Sequence, residues 1–268
     1  MKLIGNLPPN DNPTAQAYFE SMPMGGELAE DGFLVSNDKG YERISNELKS
    51  RVPDRIAGKI GLFVGSGGAL SLLPDLKLGY PVVVDINEAV ITFNRLLVEL
   101  IQVSDSPAEV IDKLAAIEAT DPDFYSEVGL YCEPFETRFY ADIVDEAHVY
   151  GSDHWTVPER FPDVKRALSE TPISFAHANI QHNNFGASLR QLAQDYDTDI
   201  GFMNMTNVHR LLWKHGASMN FVHGWPLADD TTVMFSDFFA DPANLHMALT
   251  SVQDYTTRRQ PRGGRAAL

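Results

Sequence analysis

The sequence predicts an α/β fold in which a central, mostly parallel sheet carries helices on both faces, with a helical insertion after the second strand. Short apolar runs typical of buried parallel strands recur along the chain. Segments whose apolar residues follow a helical spacing separate these runs, and such alternation is typical of βαβ units. The predicted strands are residues 60–64, 81–84, 173–176, 200–203 and 218–223.

The most informative stretch runs from Lys59 to Asp85. Its first strand leads into a glycine cluster made of Gly65, Ser66, Gly67 and Gly68. A tight turn after a buried strand needs glycine because some of its residues take positive φ. The missing side chains also let a ligand lie against the backbone. A short helix and a second strand follow, so the stretch predicts the opening half of a nucleoside-binding sheet.

Asp85 ends the second predicted strand. A carboxylate at the carboxyl edge of a parallel sheet can accept both hydroxyls of a ribose. The spacing from Gly67 to Asp85 is close to the roughly 20 residues expected between such a turn and its acid. The alternative is an ordinary βαβ turn, in which Asp85 caps a helix beginning near Asn87.

The N-terminal region, residues 1–58, is predicted to hold a lid and a leading helix. A short helix over 13–21 has Asn12 as its cap and Pro13 in its first turn. A second helix, over 38–51, carries apolar residues at spacings of three and four. Whether the first segment closes over the ligand edge or only packs against the sheet is left open by its composition.

Residues 104–170 are predicted to form a mainly helical insertion that shapes the substrate pocket. A buried helix over 87–103 precedes it, and residues 107–118 form its first helix. The region is much longer than a helix crossover needs, and it is dense in aromatic residues. Each of these aromatic residues, taken alone, is expected in the core of the insertion.

The rest of the sheet is predicted within residues 171–257. A helix over 186–196 and a short one over 208–215 separate its strands. A late strand over 233–238 is read as half of an antiparallel edge pair, and 245–255 as the last helix. The tail, 258–268, is basic and poor in apolar residues, so disorder is expected there.

Composition restricts the class of partner. The chain has 37 acidic against 21 basic residues and a net charge of −16. Such a charge argues against nucleic acid and anionic membrane surfaces, and favours a small-molecule substrate. The lone cysteine, Cys132, is expected to be buried and structural, and a reducing, cytoplasmic setting is expected. The sequence leaves a homodimer open and predicts no metal site, because its histidines form no compact ligand motif.

Two ligands compete for the glycine turn. A dinucleotide needs the fingerprint G-x-G-x-x-G, and here Leu70 stands at the third glycine position. S-adenosylmethionine has no pyrophosphate and needs an open turn, a ribose acid and a polar residue beside the adenine. Gly65, Asp85 and Asn179 fill those places in chain order, which favours S-adenosylmethionine.

The segments FVGSGGALSLL and VVVDIN resemble motif I and the acidic strand end of the Rossmann-like, class I S-adenosylmethionine-dependent methyltransferases. SFAHANIQ resembles their adenine-contacting segment, where Asp is usual and this chain has Asn179. DTDIGFMNMTN resembles the fourth strand and its loop. The resemblance covers about 59–85 and 173–238. It implies a Rossmann-like core, 59–103 with 171–257, and S-adenosylmethionine as the cofactor.

The resemblance also assigns roles at the site. Gly65, Ser66 and Gly67 would contact the methionyl part, Asp85 the ribose and Ile86 the adenine face, with Asn179 at the adenine edge. The candidate catalytic residues are Asn204 and Asn207 beside the reacting sulfur, His182 as a base, and Tyr140 with Trp155 facing the positive sulfur through cation–π attraction.

The expected function is transfer of a methyl group from S-adenosylmethionine to a small molecule that bears an amine or a carboxylate. The insertion and the Asn-Met-Thr-Asn loop are also similar to enzymes that use the aminocarboxypropyl arm and release methylthioadenosine. These include betaine-lipid synthases, nicotianamine synthases and azetidine-carboxylate-forming cyclases. An NAD-dependent oxidoreductase and a non-catalytic binding protein are the remaining alternatives.

Overall fold

The computed structural model describes residues 13–20, 41–51, 53–65, 68–120, 153–206, 208, 219–237 and 246–257. These ranges hold nearly all of the predicted sheet. The predictions for Cys132, Tyr140 and the tail 258–268 lie outside them. No helix within these ranges combines the length and the apolar character that crossing a bilayer requires.

The helices and strands alternate along most of the chain. The helices are α1 (Pro13–Glu20), α2 (Tyr41–Arg51), α3 (Pro53–Ile56), α4 (Gly68–Leu76), α5 (Glu88–Gln102), α6 (Pro107–Thr120), α7 (Phe161–Glu170), α8 (Asn183–Asp195) and α9 (Val252–Thr257), with a 3-10 helix at Met219–Gly224. The strands are β1 (Ile60–Val64), β2 (Tyr80–Asp85), β3 (Ser174–His177), β4 (Ile200–Asn204), β5 (Leu227–Asp237) and β6 (His246–Ser251).

The six strands form one sheet in the order β3-β2-β1-β4-β5-β6. Strands β1 to β5 pair in parallel, and β6 runs antiparallel to β5 at one edge. The order reverses direction on either side of β1, which is the point where ligands bind in open α/β sheets. The predicted fold class is confirmed: this is a Rossmann-like α/β fold with a mostly parallel sheet.

Helices cover both faces of the sheet, and each face has its own apolar core. The larger core joins one face to α2, α4, α5, α6 and α7, through residues such as Phe63, Leu72 and Phe202. The smaller core joins the opposite face to α1 and α8, through residues such as Leu62 and Leu189. Because neighbouring residues of a strand point to opposite faces, these memberships show which face each strand residue occupies.

Helix α1 packs along β3, the edge strand of the sheet. Ala15 and Phe19 are buried in the smaller core. The side-chain amide of Gln16 donates to the carbonyl oxygen of Phe175 at 3.0 Å and accepts from its N–H at 2.7 Å. Within the N-terminal region, α1 thus packs against the sheet, and the rest of the predicted lid lies outside the described residues.

The described parts of the predicted insertion join the larger core. Val110 of α6 and Val164 of α7 are fully buried there. Arg160, just before α7, pairs with Asp75 of α4 at 2.5 Å, and both side chains are buried. This pair fixes the start of α7 against α4.

Two predictions at the end of the sheet are wrong. Residues 218–223 were predicted as the fifth strand, but Met219–Gly224 is a 3-10 helix and β5 begins at Leu227. Residues 245–255 were predicted as a helix, but β6 occupies His246–Ser251 and only Val252–Thr257 is helical. The antiparallel edge pair expected at this end of the chain is confirmed by the pairing of β5 with β6.

Candidate functional site

Polar side chains end three strands of the sheet, β2, β3 and β4, on the same face. Val83, Phe175 and Phe202 all belong to the larger core. Two residues further along each strand come Asp85, His177 and Asn204. Since side chains alternate with a period of two, these three residues face the same side as that core, at its carboxyl edge. Helices α4 and α5 also begin at this edge, because each follows a strand that ends here.

Gly65 forms the turn after β1 and takes a φ of +89°, which side chains rarely tolerate. Its N–H donates to the carbonyl oxygen of Val84 at 3.1 Å. A Cβ atom built on Gly65 would stand 3.9 Å from Oδ2 of Asp85. The bare backbone therefore lies beside the carboxylate, as a ligand that contacts both would need.

Asp85 is half-buried, and its burial raises the pKa of the carboxyl to about 6. Hydrogen bonds from the N–H groups of Asn87 and Ile86, together with the charge of His177, act in the opposite direction. The N–H of Asn87 donates to Oδ1 at 2.7 Å, just before α5. Oδ1 of Asp85 thus caps the start of α5, as expected for an ordinary βαβ turn, while Oδ2 faces Gly65.

His177 is the register partner of Asp85 in the parallel pair of β2 and β3. Its Nε2 lies 2.9 Å from the carbonyl oxygen of Ile86. A carbonyl oxygen only accepts, so Nε2 carries the hydrogen and Nδ1 is an acceptor in the neutral ring. His177 therefore fixes the backbone that follows Asp85, and Ile86 is held half-buried beside it.

Asp85, Asn179 and Asn204 share one local hydrogen-bond pattern. In each, Oδ1 accepts the N–H of the residue two positions later, an Asx-type turn. The distances are 2.7 Å to Asn87, 2.9 Å to Gln181 and 3.1 Å to Thr206. One oxygen of each side chain is thus held by its own loop, and the second polar atom is directed elsewhere.

Asn179 lies two residues beyond β3 and is half-buried. Because the N–H of Gln181 requires an acceptor, the amide orientation is fixed with Oδ1 toward Gln181 and Nδ2 as the presented group. His182 follows and is the residue immediately before α8, with an exposed side chain. Within the described residues no hydrogen bond or ion pair joins His182 to Asp85 or Asn204.

Asn204 ends β4 and is paired in register with Phe63 of β1. Its side chain is 3% exposed. Oδ1 accepts two hydrogen bonds from Thr206, from the N–H at 3.1 Å and from Oγ1 at 2.9 Å. Asn204 was predicted at the end of the fourth strand, and it is the last residue of β4.

Several predicted site residues lie outside the described residues: Ser66, Gly67, Tyr140 and Asn207. Trp155, the second aromatic candidate for the sulfur, is 2% exposed and belongs to the larger core. Its backbone N–H donates to Oγ of Ser71 in α4. The structure thus gives Trp155 the core position that was expected of a single aromatic residue of the insertion.

Sequence reasoning missed the parts played by His177 and Thr206. His177 was not among the predicted site residues, yet it stands next to Asp85. The signal for it was its position immediately after the predicted strand 173–176. Thr206 follows Asn204 by two residues, and that spacing is typical of an Asx-type turn.

In the described part of the chain no three histidine, cysteine or acidic side chains gather as a metal ion would require. His154 is buried, and burial lowers its pKa to about 3. Its Nδ1 lies 2.6 Å from Oγ1 of Thr156. A neutral, buried imidazole of this kind is a structural group.

Comparison with protein-family models and with curated proteins gave no match to this chain.

Proposed function

We propose that the protein is an S-adenosylmethionine-dependent transferase acting on a small molecule, with methyl transfer as the leading reaction. One observation carries the proposal: Oδ2 of Asp85 stands beside the bare, positive-φ backbone of Gly65 at the switch point of the sheet. A nucleoside needs both features together, an acid for its ribose and an open turn for the group on its 5′ carbon.

The described residues fit such a molecule. Asp85 accepts the ribose hydroxyls, and ionisation of its carboxyl strengthens both hydrogen bonds. Ile86 packs on the adenine face, while Asn179 presents Nδ2 to the adenine edge. Gly65 leaves room for the methionyl part. When bound, S-adenosylmethionine supplies an activated carbon on a sulfonium. The chain's residues have to align the acceptor with that carbon and exclude water.

A dinucleotide fits less well. In the G-x-G-x-x-G fingerprint the third glycine lets the helix approach the strand closely. Here Leu70 holds that position in α4 and is 1% exposed, within the larger core. Its side chain occupies the space between helix and sheet that glycine would leave empty. This observation favours S-adenosylmethionine over NAD.

A base is needed only if the acceptor loses a proton during transfer. His182 stays the candidate because its ring is exposed at the start of α8, on the loop that carries Asn179. Nothing in the described site requires it for binding. Its replacement by glutamine would lower turnover without changing cofactor affinity.

Calorimetric titration with S-adenosylmethionine, S-adenosylhomocysteine, methylthioadenosine and NAD tests the proposal. The three adenosyl compounds should bind, NAD should not, and Asp85→Ala should abolish binding. Asp112→Ala is the matched control, since Asp112 is exposed on α6. Binding of NAD in preference to the adenosyl compounds would favour the oxidoreductase alternative and overturn this one.

Product analysis separates the two transfer reactions. S-adenosylhomocysteine as the product means methyl transfer, and methylthioadenosine means use of the aminocarboxypropyl arm. Incubation of the protein with S-adenosylmethionine alone is informative, because an intramolecular cyclisation needs no second substrate. Release of methylthioadenosine under that condition, at a rate above the spontaneous one, would assign the second chemistry.

A further inference from the structure

The side-chain amide of Asn204 is locked in one orientation. Thr206 donates both its backbone N–H and its hydroxyl hydrogen to Oδ1. If the amide were flipped, the N–H of Thr206 would face an NH₂ group, and two donors would oppose each other. The orientation is therefore set by chemistry, and Nδ2 points away from Thr206.

Nδ2 of Asn204 has two hydrogens to donate, and no described residue accepts one. The side chain is 3% exposed, and Thr206 is 7% exposed. Nδ2 is therefore the polar atom that Asn204 presents to a bound molecule. Asn204 faces the same side of the sheet as Asp85, which is the residue proposed to bind the ribose of the nucleoside.

We propose that Asn204, locked by Thr206, is a donor-only anchor for a carboxylate oxygen at the reacting end of the site. This inference rests on the proposed function and deepens it, because it names the group that the site takes. An ammonium group can only donate hydrogen bonds, so it cannot accept one from Nδ2 of Asn204. A neutral amine would have to use its lone pair, which is the pair that attacks carbon.

The carboxylate has two sources, the methionyl arm of S-adenosylmethionine and a separate acceptor molecule. Either source is held by the same neutral donor, which adds no charge to a chain whose net charge is −16. A hydrogen bond to a charged group contributes about 1.5–3 kcal/mol, or roughly 10- to 150-fold in affinity. An effect of that size is easily measured.

Asn204→Asp is the sharpest variant. Its remaining oxygen still accepts from Thr206, the shape is retained, and the donor becomes an acceptor. At pH 8 we expect this variant to bind S-adenosylmethionine at least 10-fold more weakly if the carboxylate is that of the methionyl arm. Methylthioadenosine and decarboxylated S-adenosylmethionine, which lack the carboxylate, should bind as they do to the unaltered protein.

Thr206 is tested as the positioning residue. Thr206→Val removes one of the two hydrogen bonds that hold the amide and keeps the one from the backbone N–H, so it should weaken binding of S-adenosylmethionine a few-fold. Thr206→Ser keeps the hydroxyl and should restore it. Asn204→Leu, which matches the shape without any donor, serves if the aspartate variant does not fold.

The second source is tested with the acceptor site open. In protein saturated with S-adenosylhomocysteine, the side-chain amide signal of Asn204 is followed by NMR while acetate or methylammonium is added. The signal is identified by its disappearance from the spectrum of Asn204→Asp. A shift with acetate alone, without an effect of Asn204→Asp on S-adenosylmethionine affinity, assigns the carboxylate to the acceptor.

The outcomes that overturn the inference are distinct from those that overturn the function. A shift with methylammonium, or equal losses for S-adenosylmethionine and methylthioadenosine in Asn204→Asp, would contradict the donor-only anchor. So would the absence of any effect in both experiments. If methylthioadenosine does not bind the unaltered protein, the proposed function itself fails and the inference falls with it.

Discussion

His177 lies beside Asp85 in register, and its Nε2–H donates to the carbonyl oxygen of Ile86, the residue that follows Asp85. One ring thereby holds the backbone next to the candidate ribose acid and places a titratable group near its carboxylate. Burial raises the pKa of that carboxyl to about 6, and the charge of His177 lowers it. The pH dependence of the site follows from this pair.

Asp85→Asn should stabilise the ligand-free protein at pH 7. The folded pKa of Asp85 is about 6 against an ordinary 3.8, so the folded state favours the protonated form, and stability is lost as pH rises through that window. Asparagine does not ionise, so the variant avoids this loss, which is at most about 3 kcal/mol in the free energy of unfolding. Chemical denaturation at pH 4 and pH 7 measures it, with Asp112→Asn as the control. An equal gain at both pH values would contradict the explanation.

Binding of methylthioadenosine should weaken as pH falls below about 6. Only the ionised carboxylate of Asp85 accepts both ribose hydroxyls, and protonation removes that capacity. The dissociation constant should rise towards tenfold for each further pH unit. Calorimetry from pH 5 to pH 8 measures the profile. A flat profile would mean that the ribose is held elsewhere.

His177→Gln should move that profile to higher pH. The glutamine amide can still donate to the carbonyl of Ile86, while the charge that lowers the pKa of Asp85 is lost. The same titration series locates the new midpoint. His182→Gln, which changes an exposed ring on the next loop, is the control and should leave the midpoint unchanged. A downward shift in His177→Gln would be incompatible with this account.

Asn179→Asp should alter the preference between adenine and hypoxanthine. In the unaltered protein Nδ2 is presented, which suits N1 of adenine, an acceptor, and not the N1–H of hypoxanthine. Aspartate keeps the hydrogen bond from Gln181 and reverses the presented group. The ratio of affinities for methylthioadenosine and methylthioinosine should fall about tenfold or more. Tighter adenine binding in the variant would instead assign the contact to the exocyclic amine.

His154→Asn should make the fold less sensitive to acid. The folded pKa of His154 is about 3 against 6.5 in the unfolded chain, so the unfolded state binds more protons and stability is lost as pH falls through that interval. Between pH 7 and pH 5, the free energy of unfolding should fall by about 2 kcal/mol less in the variant than in the unaltered protein. Urea unfolding at both pH values measures the difference and cancels the packing cost. His223→Asn, at an exposed position, should show the original slope.

The sequence predicted the first half of the sheet almost to the residue. Continuous apolar runs closed by glycine or a charged residue have few alternatives, and β1 occupies the predicted 60–64. The end of the chain was harder. His246–Ser251 contains Met, Ala and Leu, which favour helices, but pairing with β5 imposes the strand. Propensity is a weak guide wherever an edge strand gains its hydrogen bonds from a neighbour distant in sequence.

The candidate site was predicted as a set of residues, without its hydrogen-bond directions. Asp85, Asn179 and Asn204 do lie at the carboxyl edge, as the strand ends required. Which atom each one presents depends on Asn87, Gln181 and Thr206, whose N–H groups claim Oδ1. The conformation of each loop decides which atom is presented. The sequence alone does not show which side-chain atom is already hydrogen-bonded to the loop.

The amide of Gln16 has a consequence for assembly. By offering one acceptor and one donor to Phe175, it occupies the outer edge of β3 as the backbone of another strand would. An unprotected edge strand invites pairing with other chains and aggregation. While α1 stays docked, a second copy cannot extend the sheet through β3. A homodimer of this protein would have to use another surface, and removal of α1 would expose an edge that templates strand addition.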